Sequence, residues 1–168
     1  MTPDQAKFLL ESVLPHLRQE TATTAKVIAA TPNANLDYRP SEKCMTADQL
    51  VWHLAAADVM FLEGILSGDF GKMPERPADA TSPAQVSAWY AATMAGLTER
   101  LAAYTPDEAA KILDCFGFIQ QPAAGILAFA IHHSIHHRGQ LSAYIRPMGG
   151  KVPSIYGPSA DDNPFAKA

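Results

Sequence analysis

Residues 122–147 read PAAGILAFAIHHSIHHRGQLSAYIRP, an unbroken helix-forming run between two prolines. At about 100° per residue, Ile126, Ala130, His133, His137, Leu141 and Tyr144 fall along one stripe, flanked by Phe129 and Gln140. Of the four crowded histidines, His133 and His137 lie in the middle of that stripe. His132 and His136 point well to one side. The stretch therefore predicts a core helix that turns two imidazoles, one turn apart, toward the interior.

Working outward, three more helices are marked by start signals of one kind. Thr2 with Gln5, Thr46 with Gln49 and Ser82 with Gln85 are capping boxes, and Pro3 and Pro83 sit at first helical positions. The first helix runs to about residue 30 and carries a kink-prone Pro15. The second runs from Thr46 to about Leu66, stopping before Ser67-Gly68. The third ends before Thr105-Pro106 and the last near Arg146. Residues 31–45 and 67–81 are long links. Residues 105–121 stay open, KILDCFGFI reading equally as a short strand or a helical turn. The expected fold is all-α, a four-helix bundle with crossover connections. It forms a single domain over residues 1–168, with 147–168 a Pro- and Gly-rich coil tail packed on the bundle.

With 168 residues, 48% apolar, the chain is long enough to enclose a core. Thirteen basic residues against 17 acidic ones, with no basic cluster, speak against nucleic-acid binding. The N-terminus lacks a secretory h-region, and no apolar run reads as long enough to span a membrane. A soluble, cytoplasmic protein is the expectation. Cys44 and Cys115 form no CxxC pair and read as two reduced thiols.

The second helix carries a third inward imidazole. Leu50, His53, Ala57, Met60 and Gly64 form its inner stripe, and the small Ala57 and Gly64 leave room for a ligand or a neighbouring backbone. A lone HxxxH is a weak signal, and a lone His on an apolar face is more often a core histidine bonded to backbone. Together they need a reason, because burying unpartnered polar groups costs about 1–3 kcal/mol each. A metal supplies it, taking the lone pairs of neutral rings at about 2.0–2.1 Å and keeping an open position. His53, His133 and His137 are thus the candidate ligands. Imidazole suits zinc first on base rate, then nickel or iron.

The stretches DYRPSEKCMTADQLVWHLAAAD (37–58) and HHSIHHRGQLSAYIRPMGGKVPSIYG (132–157) carry a further signal. With its H-x-x-x-H-R-G-Q-L run from His133 to Leu141, the chain resembles the DinB-like superfamily of metal-binding four-helix bundles. The resemblance implies an up-down-down-up bundle, frequent homodimers and the same three metal ligands. It also implies varied chemistry, including thiol transferases that use bacillithiol or mycothiol and a mycothiol-dependent isomerase. The leading expectation is a metal-dependent enzyme transferring groups to or from a low-molecular-weight thiol, acting on a small-molecule substrate. A metal-dependent hydrolase or isomerase, or a non-catalytic metal- or ligand-binding stress protein, are the alternatives.

Other residues read as support. Arg138 is expected in a helix-end or interface salt bridge, Tyr144 as a core aromatic, and Gln140 as a hydrogen-bond partner of a ligand ring. His132 and His136 are expected as outer, interface or surface groups. Tyr156 covers one end of the bundle, and Trp52 and Trp89 pack. His16 carries no functional signal. Leu127, Ile131, Ile135 and Ile145, opposite the histidine stripe, are expected to form a homodimer surface.

Overall fold

The structure is a computed structural model and describes residues 1–165. Its order is α1 (Pro3–Ala29), α2 (Ala47–Ser67), α3 (Pro83–Ala102), α4 (Pro106–Ala110), β1 (Leu113–Cys115), β2 (Ile119–Gln121) and α5 (Ala123–Ile145). The three capping boxes form as read, with Thr2, Thr46 and Ser82 each accepting from the backbone N–H three residues on. α1 continues through Pro15. α2 stops where Gly68 adopts φ +84°, a left-handed cap that a side chain would strain.

α1 packs against α3 and α5, and α2 packs against the same two helices. Helices consecutive in sequence, α1 and α2, therefore sit diagonally, which is why the link between them must cross an end of the molecule. α2 is the most enclosed element, with Leu50, Val51, Leu54, Ala55, Leu62 and Ile65 all buried. It amends one sequence expectation: its 21 residues are long and apolar enough to cross a membrane by composition. Most of its surface lies inside the protein core, which accounts for the same composition. The space beside Gly64 is also not a ligand cavity. A Cβ there would stand 2.3 Å from the Phe70 ring, so the missing side chain makes room for Phe70.

Within the open stretch 105–121, KILDCFGFI takes the strand reading, and a helical turn lies just before it. Thr105 and Glu108 form a fourth capping box over the short α4. β1 and β2 then pair antiparallel, Leu113 with Gln121 and Cys115 with Ile119. Leu113 and Cys115 turn inward while Asp114 turns out, the period-2 pattern of a strand on a core.

Two sequence expectations about α5 are corrected. Leu127, Ile131 and Ile145 are buried within this chain, so they are not a surface left for a second subunit; Ile135 is half-buried. Arg138 bridges neither a helix end nor an interface. It is 1% exposed and pairs with Glu20 of α1 at 2.6 Å. The coil after α5 is tied down by polar contacts. Asp161 accepts from the Val152 N–H at 3.0 Å and from Arg146, and Asp162 accepts from the Ser154 N–H at 2.8 Å and from Lys26. Of the tail as read, 166–168 lie outside the described residues.

Candidate metal centre

His53 enters the site from the second turn of α2, and His133 and His137 from adjacent turns of α5. One ring nitrogen from each lies within 4.8 Å of the other two. All three side chains are half-buried, whereas His132 and His136 are exposed. The ring centroids of His53 stand 5.3 Å from His133 and 4.5 Å from His137, and those of His133 and His137 stand 4.4 Å apart. The residues selected by the two inward stripes are thus brought together.

The donor set suits a divalent cation. His53 Nε2 and His137 Nε2 are 3.2 Å apart. Two nitrogens bound tetrahedrally to one zinc at about 2.0–2.1 Å stand about 3.3 Å apart, so no large movement is required. His133 Nδ1 is buried and has no hydrogen-bond partner among the described residues. Protonation is disfavoured throughout. Burial lowers the pKa of His53, with the nearby His137 adding to it. Burial and the other imidazoles push His133 down to about 4. His137 is also lowered by burial, partly offset by its bond to Gln140. Neutral rings are what a metal needs.

Gln140 sets the tautomer of His137. Its Oε1 lies 2.8 Å from His137 Nδ1, and its Nε2 lies 3.1 Å from His136 Nε2. An amide oxygen only accepts, so Nδ1 carries the proton and the Nε2 lone pair faces His53. His136 anchors the other end of the amide. The expected support role of Gln140 is met, and His136 gains one as the outer link.

Sequence reading missed the polar network behind this face of α5. Arg138 donates to Glu20 Oε2, to the Glu20 carbonyl at 3.2 Å and to Thr24 Oγ1 at 3.1 Å. Tyr156 donates to Glu20 Oε2 at 2.8 Å and accepts from Arg138, pinning the tail to the bundle. Ser134 Oγ lies 3.2 Å from Thr24 Oγ1 and donates to Asp58 Oδ2 at 2.8 Å; Tyr90 donates to the same oxygen at 2.7 Å. Because the Ser134 proton goes to Asp58, Thr24 must donate to Ser134. Hydrogen bonds therefore run one way from Arg138 to Asp58. The one sequence signal was Asp58 itself, a lone carboxylate in the apolar run LAAADVMFL.

Burial raises the Asp58 carboxyl to about 7, against the pull of Tyr90, Ser134 and Arg138. Its Oδ1 and the Thr21 hydroxyl lack partners among the described residues. Between pH about 4 and about 7 the folded carboxyl keeps a proton that the unfolded chain has released. Asp58 therefore costs stability as pH rises through that window, and the cost is level above it. Relative to Asp58→Asn, the wild type should lose on the order of 3 kcal/mol from pH 4 to pH 7. Urea unfolding of both proteins across that range measures it; parallel curves would show that Asp58 is ionised throughout.

The model of the DinB family matches residues 4–164. The chain belongs to the DinB family. Among curated relatives, it is 24% identical to the uncharacterized protein YjoA of Bacillus subtilis over 138 residues, covering 82% of this chain and 89% of YjoA. It is 26% identical to the uncharacterized protein YrdA of the same organism over 157 residues, covering 91% of each. Two crystal structures of DinB-like proteins share the fold. That of Bacillus subtilis YjoA matches with a TM-score of 0.67 at 24% identity, covering 82% of this chain and 92% of its own. One from Bacillus cereus matches with a TM-score of 0.70 at 25% identity, covering 87% and 97%. The mostly helical architecture is thus the DinB architecture.

Proposed function

We propose that this DinB-family chain holds one divalent metal, zinc in first place, on His53, His133 and His137 and uses it on a small-molecule substrate. The observation that carries the reading is the convergence of three neutral imidazoles from two helices within 4.8 Å. A cation there supplies an open Lewis-acid position that lowers the pKa of a bound thiol or water. The chain's own part is positional. Gln140 holds the His137 ring so that its Nε2 faces the site, and burial keeps all three rings neutral. Three protein ligands are the catalytic rather than the structural count.

The leading chemistry is group transfer to or from a low-molecular-weight thiol, in which binding as thiolate activates the sulfur as nucleophile. An up-down-down-up order of the four long helices, a homodimer and a cytoplasmic setting belong to the same reading. The function is tested by thiol consumption against a panel of electrophiles, comparing wild type with His137→Ala. Metal-dependent turnover by the wild type alone is expected; equal rates in both would end the transferase reading.

A further inference from the structure

The hairpin between α4 and α5 carries two large apolar side chains that stay at least half exposed. Phe116 is 50% exposed and Phe118 66% exposed, and the two rings stack with centroids 6.1 Å apart and planes at 18°. Phe116 has φ +60° and Gly117 φ +77°. The Phe118 N–H closes the turn on the Cys115 carbonyl at 3.4 Å, and Asp114 Oδ1 accepts from the Gly117 N–H at 2.8 Å. The first central position of such a turn suits Asn, Asp or Gly. A bulky aromatic in the left-handed region is strained, and exposed apolar rings do not repay strain by burial.

These rings connect to the histidines. Phe118 meets Phe129 edge-on at 6.2 Å, and Phe116 meets Phe61 at 6.3 Å. Phe61 in turn contacts Phe129 at 5.5 Å and His133 at 5.4 Å. Phe129 and His133 are one helical turn apart on α5, and both are half-buried. Aromatic contacts therefore link the exposed turn to a candidate metal ligand through the buried Phe61, with the half-buried Phe129 on the accessible side of the path.

We infer that Phe116, Phe118 and Phe129 form a specificity wall for small molecules that join a metal-binding donor to an aromatic ring. The inference rests on the proposed metal reading. The donor takes the open position, and the ring lies along the wall, edge-on or offset against the phenylalanines as aromatic pairs prefer. The half-buried Phe129, one turn from His133 on α5 and in contact with Phe118, favours a ligand that reaches both metal and rings over a separate binding partner.

Two hydroxamates test it on the zinc-loaded full chain. Acetohydroxamate offers the donor alone, and benzohydroxamate adds the ring. Benzohydroxamate is expected to bind roughly ten-fold more tightly. Phe118→Ala and Phe116→Asn should remove that margin while leaving acetohydroxamate affinity and zinc content unchanged. Phe116→Asn suits the turn, which guards against loss of the fold. Equal affinities in zinc-loaded wild type overturn the wall but leave the metal reading standing. Failure to take up zinc overturns both. A dimer that dissociates to monomers in Phe118→Ala assigns the patch to a second copy and overturns the wall.

Discussion

Zinc added to the metal-free protein should raise its melting temperature by about 10 °C, and His53→Ala, His133→Ala and His137→Ala should each abolish the response. At a thousand-fold excess over the dissociation constant, a ligand confined to the native state adds about 4 kcal/mol. A domain of this size gains about 2–4 °C for each kcal/mol. Loss of any one ring should act alike on the single ion, because the three nitrogens lie within one 4.8 Å cluster. His133→Leu sharpens the test. It replaces a half-buried imidazole with an unpartnered nitrogen by an aliphatic side chain on a helix face whose other residues are, apart from His137 and Gln140, apolar or aromatic. That variant should match or exceed the metal-free wild type in stability while ignoring zinc, the signature of a site kept for binding rather than folding. Thermal scans with and without zinc decide it; a single-histidine variant with an undiminished zinc shift would place the ion elsewhere.

The second large effect belongs to Arg138. Arg138→Ala should cost about 3–5 kcal/mol, because it leaves the Glu20 carboxylate buried without its cation. Burial alone would raise the Glu20 carboxyl, but Tyr156 and Arg138 hold it below its ordinary value, so it is charged in the fold. The pair is 1% and 4% exposed, far from the surface bridges that contribute little. Loss of Arg138 also removes two hydrogen bonds to α1 and the contact to Tyr156. The paired change Glu20→Leu with Arg138→Met should recover most of the lost stability, since apolar side chains of similar size replace both charges together. Denaturant unfolding of the single and double variants provides the comparison. A single variant within 1 kcal/mol of wild type would mean that the pair is not buried in solution.

What was readable in the sequence follows the range of the interactions. Capping boxes at Thr2, Thr46 and Ser82 are made within four residues and could be seen directly. The histidines were legible because an imidazole on an apolar stripe conflicts with its surroundings, and the conflict repeats on two helices. Arg138 was misplaced for the opposite reason. Its partners Glu20 and Thr24 lie 118 and 114 residues away, and no local pattern marks a polar group that is satisfied only after helices pack. Tyr90 shares that character, whereas Asp58, a carboxylate in an apolar run, was the one visible sign of the network. The hairpin was left open because its strands are three residues long and its turn begins with Phe116, where Asn or Gly would have signalled it. The dimer surface was inferred from a second apolar face on α5. Burial of Leu127, Ile131 and Ile145 within the chain explains that face without a partner.

Elemental analysis of the full chain, purified without an affinity tag and dialysed against zinc, bears most directly on the three-histidine centre. One equivalent of divalent metal per chain in the wild type, with less than a tenth of that in His137→Ala (about a ten-fold loss, as removal of even an outer support can cause), is the predicted result. Metal-free wild type after that exposure, or equal metal in both proteins, would contradict it.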